Sequence, residues 1–501
     1  MQQKRTTSRA IVRQYLDRIA KYEHRLNAVM TLNPRALDEA EARDRERARG
    51  KVRGPLHGIP IALKDNIHTT DMPTTGGALA FRRFVPPYEA TLTRNLREAG
   101  AIIIAKTNMT ELANFVAAGM PGNYNALAGF GMNPYDPRRD PRSPGGQGPP
   151  ALNTGGSSSG AGTAASFWAA NVGTETSGSI LSPANWTMLA AIKPTVGRIS
   201  RYGIIPITAD QDTAGPMART VADAARLLGA LEGASPDSRD AATVRCPRVP
   251  HADYTRFLEE DALAGARIGI APKAFFGGLA PEAARLMSEA VAARERRGAQ
   301  VVAPVDLENR LPRVCSGPAD AKGEDSDCSI VLKYGMKRDF DAWLTSLGPK
   351  APVKTLDGLR RWNIAHQEEG AIRFGQARLD NAGEMDVAAD RVRYLSDRER
   401  DVRVSGAEGI DAVVAAYRLD ALLVPALSYD MAARAGYPTV IVPFGFVPNP
   451  LAPQYPDGFN ARAAPFGVGF TGPACSEPRL IGLAYAFEQA TKRRVPPPEF
   501  P

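Results

Sequence analysis

The chain has 501 residues, of which 44% are hydrophobic and 23% are charged, so it is long enough to bury the core of a large globular protein. Its 62 basic and 54 acidic residues give a net charge of +8, but the two signs are interspersed and no basic stripe alternates with aromatic residues, which argues against a nucleic-acid-binding protein. No run of 18 apolar residues occurs, which argues against a membrane-spanning protein.

The spacing of apolar residues predicts alternating helices and strands along most of the chain. The predicted helices are residues 8–22, 89–98 and 477–490. The predicted strands are residues 59–63, 101–105, 267–271, 299–303, 421–425 and 439–443. Because strands that alternate with helices are typical of parallel sheets, this order predicts an α/β fold with a largely parallel sheet.

Two glycine-rich segments and one lysine carry the clearest signs of chemistry. Residues 155–160 read Gly-Gly-Ser-Ser-Ser-Gly, residues 173–180 read Gly-Thr-Glu-Thr-Ser-Gly-Ser-Ile, and Lys64 ends an apolar segment. Taken singly, these features also fit a linker, a turn and a solvated strand end. Together they favour acyl transfer, because a serine hydroxyl needs a base to become a nucleophile and a lysine is one of the bases that serve.

The order and surroundings of these segments resemble the amidase signature family. The matching segments are residues 54–67, 105–113, 155–183, 192–203, 212–225 and 435–443. The resemblance covers nearly the whole chain, except for about residues 233–420. It implies one α/β domain over residues 1–501, with a large mixed, mostly parallel sheet covered by helices on both faces. The implied parts of this domain are a signature core at about 54–225, a helical cap at about 330–383 and a C-terminal part of the core at about 408–495.

The resemblance also implies a role for each matching residue. Ser179 would be the nucleophile, and Ser157, which has a cis peptide bond in the family, would pass its proton to Lys64. To accept that proton Lys64 has to be uncharged, so burial must lower its pKa. Ala113 matches a segment that borders the substrate channel in some relatives. The oxyanion hole would consist of the backbone N–H groups of Thr176, Ser177, Gly178 and Ser179.

The signature departs from its commonest form. Many members, including the glutamine amidotransferase subunits that serve tRNA, have Asp-Thr-Gly-Gly-Ser-Ile-Arg where residues 175–181 read Glu-Thr-Ser-Gly-Ser-Ile-Leu. This version is closer to the stand-alone amidases, so we expect an amidase that cleaves a carboxamide, an aryl amide or a related carbamate (a urethane) through Ser179. The alternatives are an amidotransferase subunit that acts with a partner, a hydrolase whose main substrates are esters or carbamates, and a non-catalytic binding protein.

Two segments outside the matching motifs bear on substrate choice. Residues 330–383 have a mostly helical pattern that includes Phe340, Trp343 and Trp362, and they form either a cap over the pocket or helices packed on the sheet. The Pro- and Gly-rich residues 141–153 look like an inserted loop that would lie near the mouth of the active site, although a plain surface loop fits as well.

No cofactor and no metal are expected. The five histidines are not spaced as metal ligands, and the four cysteines lack a Cys-x-x-Cys pair. Residues 160–165 imitate a dinucleotide-binding fingerprint, but a Gly/Ser-rich segment precedes them where a strand is required. The expected partner is a small-molecule amide, with no nucleic acid and no membrane, and the expected assembly is a monomer or a homodimer.

The cysteines and the N-terminal residues bear on the cellular compartment. Residues 1–8 contain no apolar targeting segment, which favours the cytoplasm for the chain as written, and a periplasmic or secreted location is the alternative if a signal peptide has been removed. Cys315 and Cys328 could form a disulfide in an exported protein. Free thiols are the first expectation, with Cys475 as a small packed residue.

Overall fold

The computed structural model describes residues 1–501 apart from residues 2, 4, 147, 157, 158, 450–453 and 501. The strands in this part of the chain are β1 Val29–Leu32, β2 Pro60–Lys64, β3 Ile102–Thr107, β4 Tyr124–Asn125, β5 Gly129–Phe130, β6 Ala170–Glu175, β7 Ala190–Lys193, β8 Thr213–Ala218, β9 Arg267–Gly269, β10 Gln300–Val302, β11 Arg313–Val314, β12 Cys328–Ser329, β13 Ala421–Pro425, β14 Thr439–Val447 and β15 Ala464–Thr471. The α-helices are α1 Ser8–Leu26, α2 Ala36–Ala48, α3 Thr91–Glu98, α4 Ala161–Ala164, α5 Leu181–Trp186, α6 Val221–Glu232, α7 Pro272–Phe275, α8 Pro281–Glu295, α9 Val331–Ser346, α10 Leu356–Ala365, α11 Ala377–Gly383, α12 Arg391–Val402, α13 Asp411–Tyr417, α14 Asp430–Ala435 and α15 Glu477–Thr491.

One large mixed sheet organises these elements. Its strand order is β1-β3-β2-β6-β8-β7-β14-β15-β13-β9-β10. Parallel ladders join β3, β2 and β6 on one side and β13, β9 and β10 on the other. The strands between them pair antiparallel, from β6 through β8, β7, β14 and β15 to β13. The predicted α/β fold with a large mixed sheet is therefore confirmed. Where a mostly parallel sheet was expected, four of the ten described strand pairings in this sheet are parallel and six are antiparallel.

Helices cover both faces of the sheet, and strand β2 shows how the two cores are separated. Successive side chains of a strand point to opposite faces. Ile61 and Leu63 accordingly pack into the apolar cluster that contains α3, α6, α8 and α15. Ala62 packs into the cluster that contains α1, α2, α9 and α10. Lys64 follows Ala62 by two residues, so its side chain starts toward the face that carries α9.

The predicted elements agree with the observed ones to within a few residues at most ends. The main difference is β14, which continues to Val447 although the prediction ended it at Pro443. The ladder to β15 shifts register between Pro443 and Gly445 and then resumes. Proline and glycine interrupt the strand pattern in the sequence, whereas the sheet accommodates them as a local irregularity.

The expectation of free thiols was wrong. Disulfides join Cys246 to Cys475, which are 229 residues apart, and Cys315 to Cys328, which are 13 residues apart. Cys475 is thus a bonded residue and not merely a packed one, and the described residues include no free cysteine. The sequence could not reveal the first pair, because only the fold brings the loop at Cys246 to the turn before α15.

None of the helices within the described residues has the length and apolar character needed to cross a lipid bilayer.

Candidate active site

Lys64, the predicted base, lies at the buried end of β2. Its side chain is fully buried, and its Nζ atom donates hydrogen bonds to Thr174 Oγ1 at 2.8 Å and to the Thr174 carbonyl oxygen at 3.1 Å. The hydroxyl of Thr174 also accepts a hydrogen bond from Asn66 Nδ2 at 3.0 Å. Burial lowers the pKa of Lys64 to about 7, against the opposing negative charges of Asp212 and Glu175. A large fraction of the lysine is therefore neutral near pH 7.

Ser179, the predicted nucleophile, lies in the tight turn between β6 and α5. The carboxylate of Glu175 holds this turn closed, because its Oε2 atom accepts hydrogen bonds from the backbone N–H groups of Ile180 at 2.7 Å and Leu181 at 2.9 Å. Gly178 has a φ of +80°, and a Cβ at this position would lie 2.3 Å from Cζ of Tyr429. Only glycine fits this backbone and this contact, so Gly178 fixes the position of Ser179, which is 8% exposed.

The first glycine-rich segment packs against the second. Gly155 has a φ of +84°, and a Cβ there would lie 2.4 Å from the backbone nitrogen of Pro183. A Cβ at Gly156 would lie 3.3 Å from Ser179 Oγ, and the N–H of Gly156 donates to Ser182 Oγ at 3.2 Å. The residue before Ser157 is thus next to Ser179. Ser157 itself lies outside the described residues, so its role as a relay stays a prediction.

Asp212 is a component of the site to which sequence reasoning assigned no role. Its Oδ1 atom accepts a hydrogen bond from Thr176 Oγ1 at 2.5 Å, and its Oδ2 atom accepts from the backbone N–H groups of Ile207 at 2.8 Å and Thr208 at 3.0 Å. Burial raises the pKa of Asp212 to about 7. This carboxyl group therefore ties the turn that carries Ser179 to residues 207–208, and its charge acts on Lys64.

A cavity of about 340 Å³ opens beside Thr174, the hydrogen-bond partner of Lys64. Asn66, Thr174, Thr176 and Asp212 line one part of it, together with the predicted pocket residue Ala113. The rest of the described lining comes from α9, from the first residue of β8, and from the loops before α3, between β7 and β8, and after α6. These residues are Tyr88, Arg201, Tyr202, Gly203, Ile204, Ile205, Pro206, Ile207, Ala209, Thr213, Arg239, Asp240, Asp339, Ala342, Trp343 and Ser346. Helix α9 belongs to the segment 330–383, so this segment reaches the cavity.

A second cavity of about 360 Å³ lies on the other side of the turn, next to Ser177. Its described lining is mostly polar and includes Gln211, Asp430 and Arg434. The inserted loop 141–153 contributes no described residue to either cavity. The carbonyl oxygen of Ala151 instead accepts hydrogen bonds from the Asn449 and Tyr455 side chains, so this part of the loop packs against a segment that follows β14.

His68 supports the cavity wall from behind. It is fully buried, and its Nε2 atom accepts a hydrogen bond from Trp343 Nε1 at 3.0 Å. Burial lowers its pKa to about 3, so the ring is neutral. Among the described residues, no group of three or more histidine, cysteine, aspartate or glutamate side chains is arranged to hold a metal ion.

Sequence reasoning predicted Lys64 and Ser179 as site residues but did not predict the residues that hold them. Thr174 is 110 residues from Lys64 and Asp212 is 36 residues from Thr176, so their contacts exist only in the fold. One signal was available for Asp212: it opens the matching segment 212–225. A buried carboxyl group at the start of an ordered motif could have been considered as part of the site.

Comparisons with known proteins agree with this architecture. A family model described as Amidase matches residues 10–481. A probable amidase of Arabidopsis thaliana is 34% identical over 509 residues, covering 99% of this chain and 89% of the relative. One of the subunits of the glutamyl-tRNA(Gln) amidotransferase of Thermosynechococcus vestitus is also 34% identical, with 97% and 95% covered.

Solved structures are similar over the same length. The native peptide amidase of Stenotrophomonas maltophilia has a TM-score of 0.81 and 39% identity, covering 98% of this chain and 95% of that chain. An amidase family protein from Bacillus anthracis has a TM-score of 0.84 and 29% identity, covering 99% and 90%. The chain therefore belongs to the amidase signature family, and it is a hydrolase that acts on carbon–nitrogen bonds.

Proposed function

We propose that the chain is a stand-alone amidase that hydrolyses a carboxamide, an aryl amide or a related carbamate through an acyl-enzyme on Ser179. The single observation that carries this proposal is the buried Lys64, with a pKa of about 7, bound to the same strand-and-turn segment that presents Ser179. A neutral lysine at physiological pH is a competent general base, whereas an exposed lysine is not.

In the first half of the reaction, Ser179 Oγ attacks the carbonyl carbon and forms a C–O bond. Its proton passes to Ser157 Oγ, and the proton of Ser157 passes to Lys64 Nζ. The negative charge on the carbonyl oxygen is bound by backbone N–H groups of the turn formed by Thr176, Ser177, Gly178 and Ser179. Among the described residues, none accepts a hydrogen bond from the N–H groups of Ser177, Gly178 or Ser179, which leaves these donors available to an oxyanion.

The second half reverses the proton path. As the C–N bond breaks, Lys64 returns its proton through Ser157 to the departing nitrogen, which leaves as ammonia or an amine. Water then attacks the ester carbonyl and gives a proton to the same relay. When the C–O bond to Ser179 breaks, the relay returns that proton to Ser179 Oγ, and the carboxylic acid is released.

The proposal includes the domain organisation and the assembly. Residues 1–501 form one amidase domain, in which residues 54–225 and 408–495 form the core and residues 330–383 form a cap beside the cavity. The enzyme acts as a monomer or a homodimer without a second kind of protein. The 39% identity to peptide amidase adds amides of peptides to the carboxamides that have to be tested.

The disulfides also bear on the cellular compartment in which the protein works. The cytoplasm was the first expectation, but two disulfides favour the exported alternative, because cytosolic proteins are generally kept reduced. We therefore propose that the chain works in an oxidising compartment.

The test is hydrolysis of matched amides, anilides, carbamates, esters and peptide amides by the purified chain alone. Ser179→Ala removes the proposed nucleophile, and Ser288→Ala, an exposed serine on α8, is the matched control. We expect turnover that is abolished only by Ser179→Ala. If esters or carbamates are turned over much faster than amides, the alternative of a hydrolase whose main substrates are esters or carbamates is favoured. Activity that requires a second protein would favour the amidotransferase alternative. Amide turnover that survives in Ser179→Ala would refute the mechanism.

A further inference from the structure

The cavity that Thr174 lines has a wall of aromatic side chains. Tyr88 and Tyr202 are stacked with ring centroids 4.8 Å apart, and the Tyr88 hydroxyl lies 2.6 Å from Ser346 Oγ of α9. Trp343, also on α9, donates its only N–H to His68. Because the polar atoms of Tyr88 and Trp343 are already bound within the protein, these two side chains offer the cavity mainly the apolar surface of their rings.

Two arginines line the cavity, and one of them, Arg201, is held in an ion pair with Asp240. Arg201 donates to Asp240 through Nε at 2.8 Å and through Nη2 at 2.5 Å, and its Nη1 atom donates to the Ala209 carbonyl oxygen. Its guanidinium group is therefore already neutralised in a two-point ion pair. A carboxylate on the substrate would have to compete with Asp240 for this arginine.

The other charged side chains of the lining are also compensated. Asp339 accepts hydrogen bonds from Arg338 at 2.7 and 2.8 Å and from the backbone N–H of Ala209 at 2.7 Å. Arg239 pairs with Asp237 at 2.8 Å and places its guanidinium carbon 4.0 Å from the centroid of the Tyr202 ring. Among the described lining residues, Asp212 lacks a salt bridge, and three hydrogen bonds satisfy it.

A substrate carboxylate would thus lose its hydration in this cavity without gaining a free counterion, which is unfavourable. In the described part of the lining, a substrate ammonium group would find only Asp212, whose oxygens already accept three hydrogen bonds. The size adds a second restriction, because about 340 Å³ is near the lower end of small-molecule pockets. For a primary carboxamide the leaving group is ammonia, so the acyl part is the only part of the substrate that could fill this space.

From these observations we infer that the cavity receives the acyl part of the substrate and selects an uncharged acyl group that carries one aromatic ring or a branched apolar chain. This inference rests on the proposed function. It assigns specificity to the wall formed by Tyr88, Tyr202 and α9, with Ala342 as the α9 residue whose size limits the acyl group.

Primary amides that differ only in the acyl part test the inference. The aromatic and branched substrates are 3-phenylpropanamide and 4-methylpentanamide, the small neutral one is propanamide, and the charged ones are succinamic acid and 4-aminobutanamide. We expect kcat/KM for the aromatic and branched amides to exceed that for both charged amides by at least about 100-fold, as expected for burying an unpaired charge. Equal or faster turnover of a charged amide would overturn the inference.

Ala342→Phe supplies a second measurement. Ala342 is exposed on α9 and lines the cavity, so a larger side chain there fills the cavity without disturbing a packed core. Thr345→Phe is the matched control, because Thr345 is exposed on the same helix and does not line the cavity. We expect Ala342→Phe to lower kcat/KM for 3-phenylpropanamide at least about tenfold more than it lowers kcat/KM for propanamide.

The outcomes separate the two claims. If no amide is hydrolysed in a Ser179-dependent way, the proposed function fails. If propanamide is hydrolysed through Ser179 but Ala342→Phe changes neither amide, or both equally, the amidase stands and the assignment of the cavity to the acyl group is wrong. No effect of Thr345→Phe is expected on any of these amides, and an effect equal to that of Ala342→Phe would contradict the inference.

Discussion

Lys64 Nζ lies 2.8 Å from the hydroxyl oxygen of Thr174, and Thr174 is five residues before Ser179 in one strand and turn. The proposed base and the proposed nucleophile are therefore held by the same short segment. Movement of this segment would change both the hydrogen bond to the lysine and the position of the serine.

Thr174→Val removes the hydroxyl acceptor while keeping the shape of the side chain. A hydrogen bond to a group that becomes charged contributes about 1.5–3 kcal/mol, so we expect kcat/KM for the best amide to fall about 10- to 100-fold. Thr174→Ser retains the hydroxyl and is the matched control, with activity within about threefold of wild type. Equal losses in the two variants would mean that the methyl group, and not the hydroxyl, matters.

The pH dependence of kcat/KM follows from the pKa of Lys64. Below a pKa of about 7 the lysine is protonated and cannot accept a proton, so activity should rise with pH up to about 7 and then level off. A pH–rate profile from about pH 5 to about pH 9 measures this rise in activity, which is the acidic limb of the profile. A flat profile across this range would contradict the assignment of Lys64 as the base.

Asp212→Asn shifts that limb in a defined direction. The negative charge of Asp212 raises the pKa of Lys64, so its removal should lower that pKa and move the limb to lower pH. Because Asp212 itself has a pKa raised to about 7, the wild-type limb belongs to the pair and not to one residue. A general loss of rate without a shift of the limb would indicate a purely structural role for Asp212.

Gly178→Ala should disrupt the turn that presents Ser179. The added methyl group would collide with the Tyr429 ring, at 2.3 Å from Cζ, in a backbone with φ +80°. We expect kcat/KM to fall at least about 100-fold, because a small displacement of a reacting atom has a cost of this order. Gly265→Ala is the control, since Gly265 has a φ of +70°, has no atom within 4 Å of the place where a methyl group would lie, and is away from the cavities. Similar activity losses in both variants would point to backbone strain alone.

The disulfides can be counted by alkylation and mass spectrometry. Protein denatured without a reductant should take up no alkyl group, and reduced protein should take up four. Paired replacement of Cys246 and Cys475 by serine should lower Tm, because a disulfide of this kind contributes about 2–4 kcal/mol. Four reactive thiols in the unreduced protein would restore the expectation of free cysteines and remove the support for an oxidising compartment.

The sequence was sufficient for the parts of the fold that depend on local pattern. Strands such as Ala421–Pro425 are continuous apolar runs, and helices such as Ser8–Leu26 have an amphipathic spacing, so both could be predicted. The order of the motifs led to the prediction of Lys64 and Ser179 as site residues, which stays a prediction. The antiparallel centre of the sheet, the Cys246–Cys475 bond and the contacts of Thr174 and Asp212 could not be predicted, because they join segments far apart in sequence.

The most direct test of the central claim is to identify the residue that becomes covalently modified. The purified chain is incubated with a fluorophosphonate, and the adduct is measured by intact mass and then mapped on peptides. We expect one adduct, located on Ser179 and absent from Ser179→Ala. It should form more slowly at about pH 6 than at about pH 8, because Lys64 gains its neutral form in between. An adduct on a different residue, or Ser179-independent hydrolysis of amides by the same preparation, would contradict it.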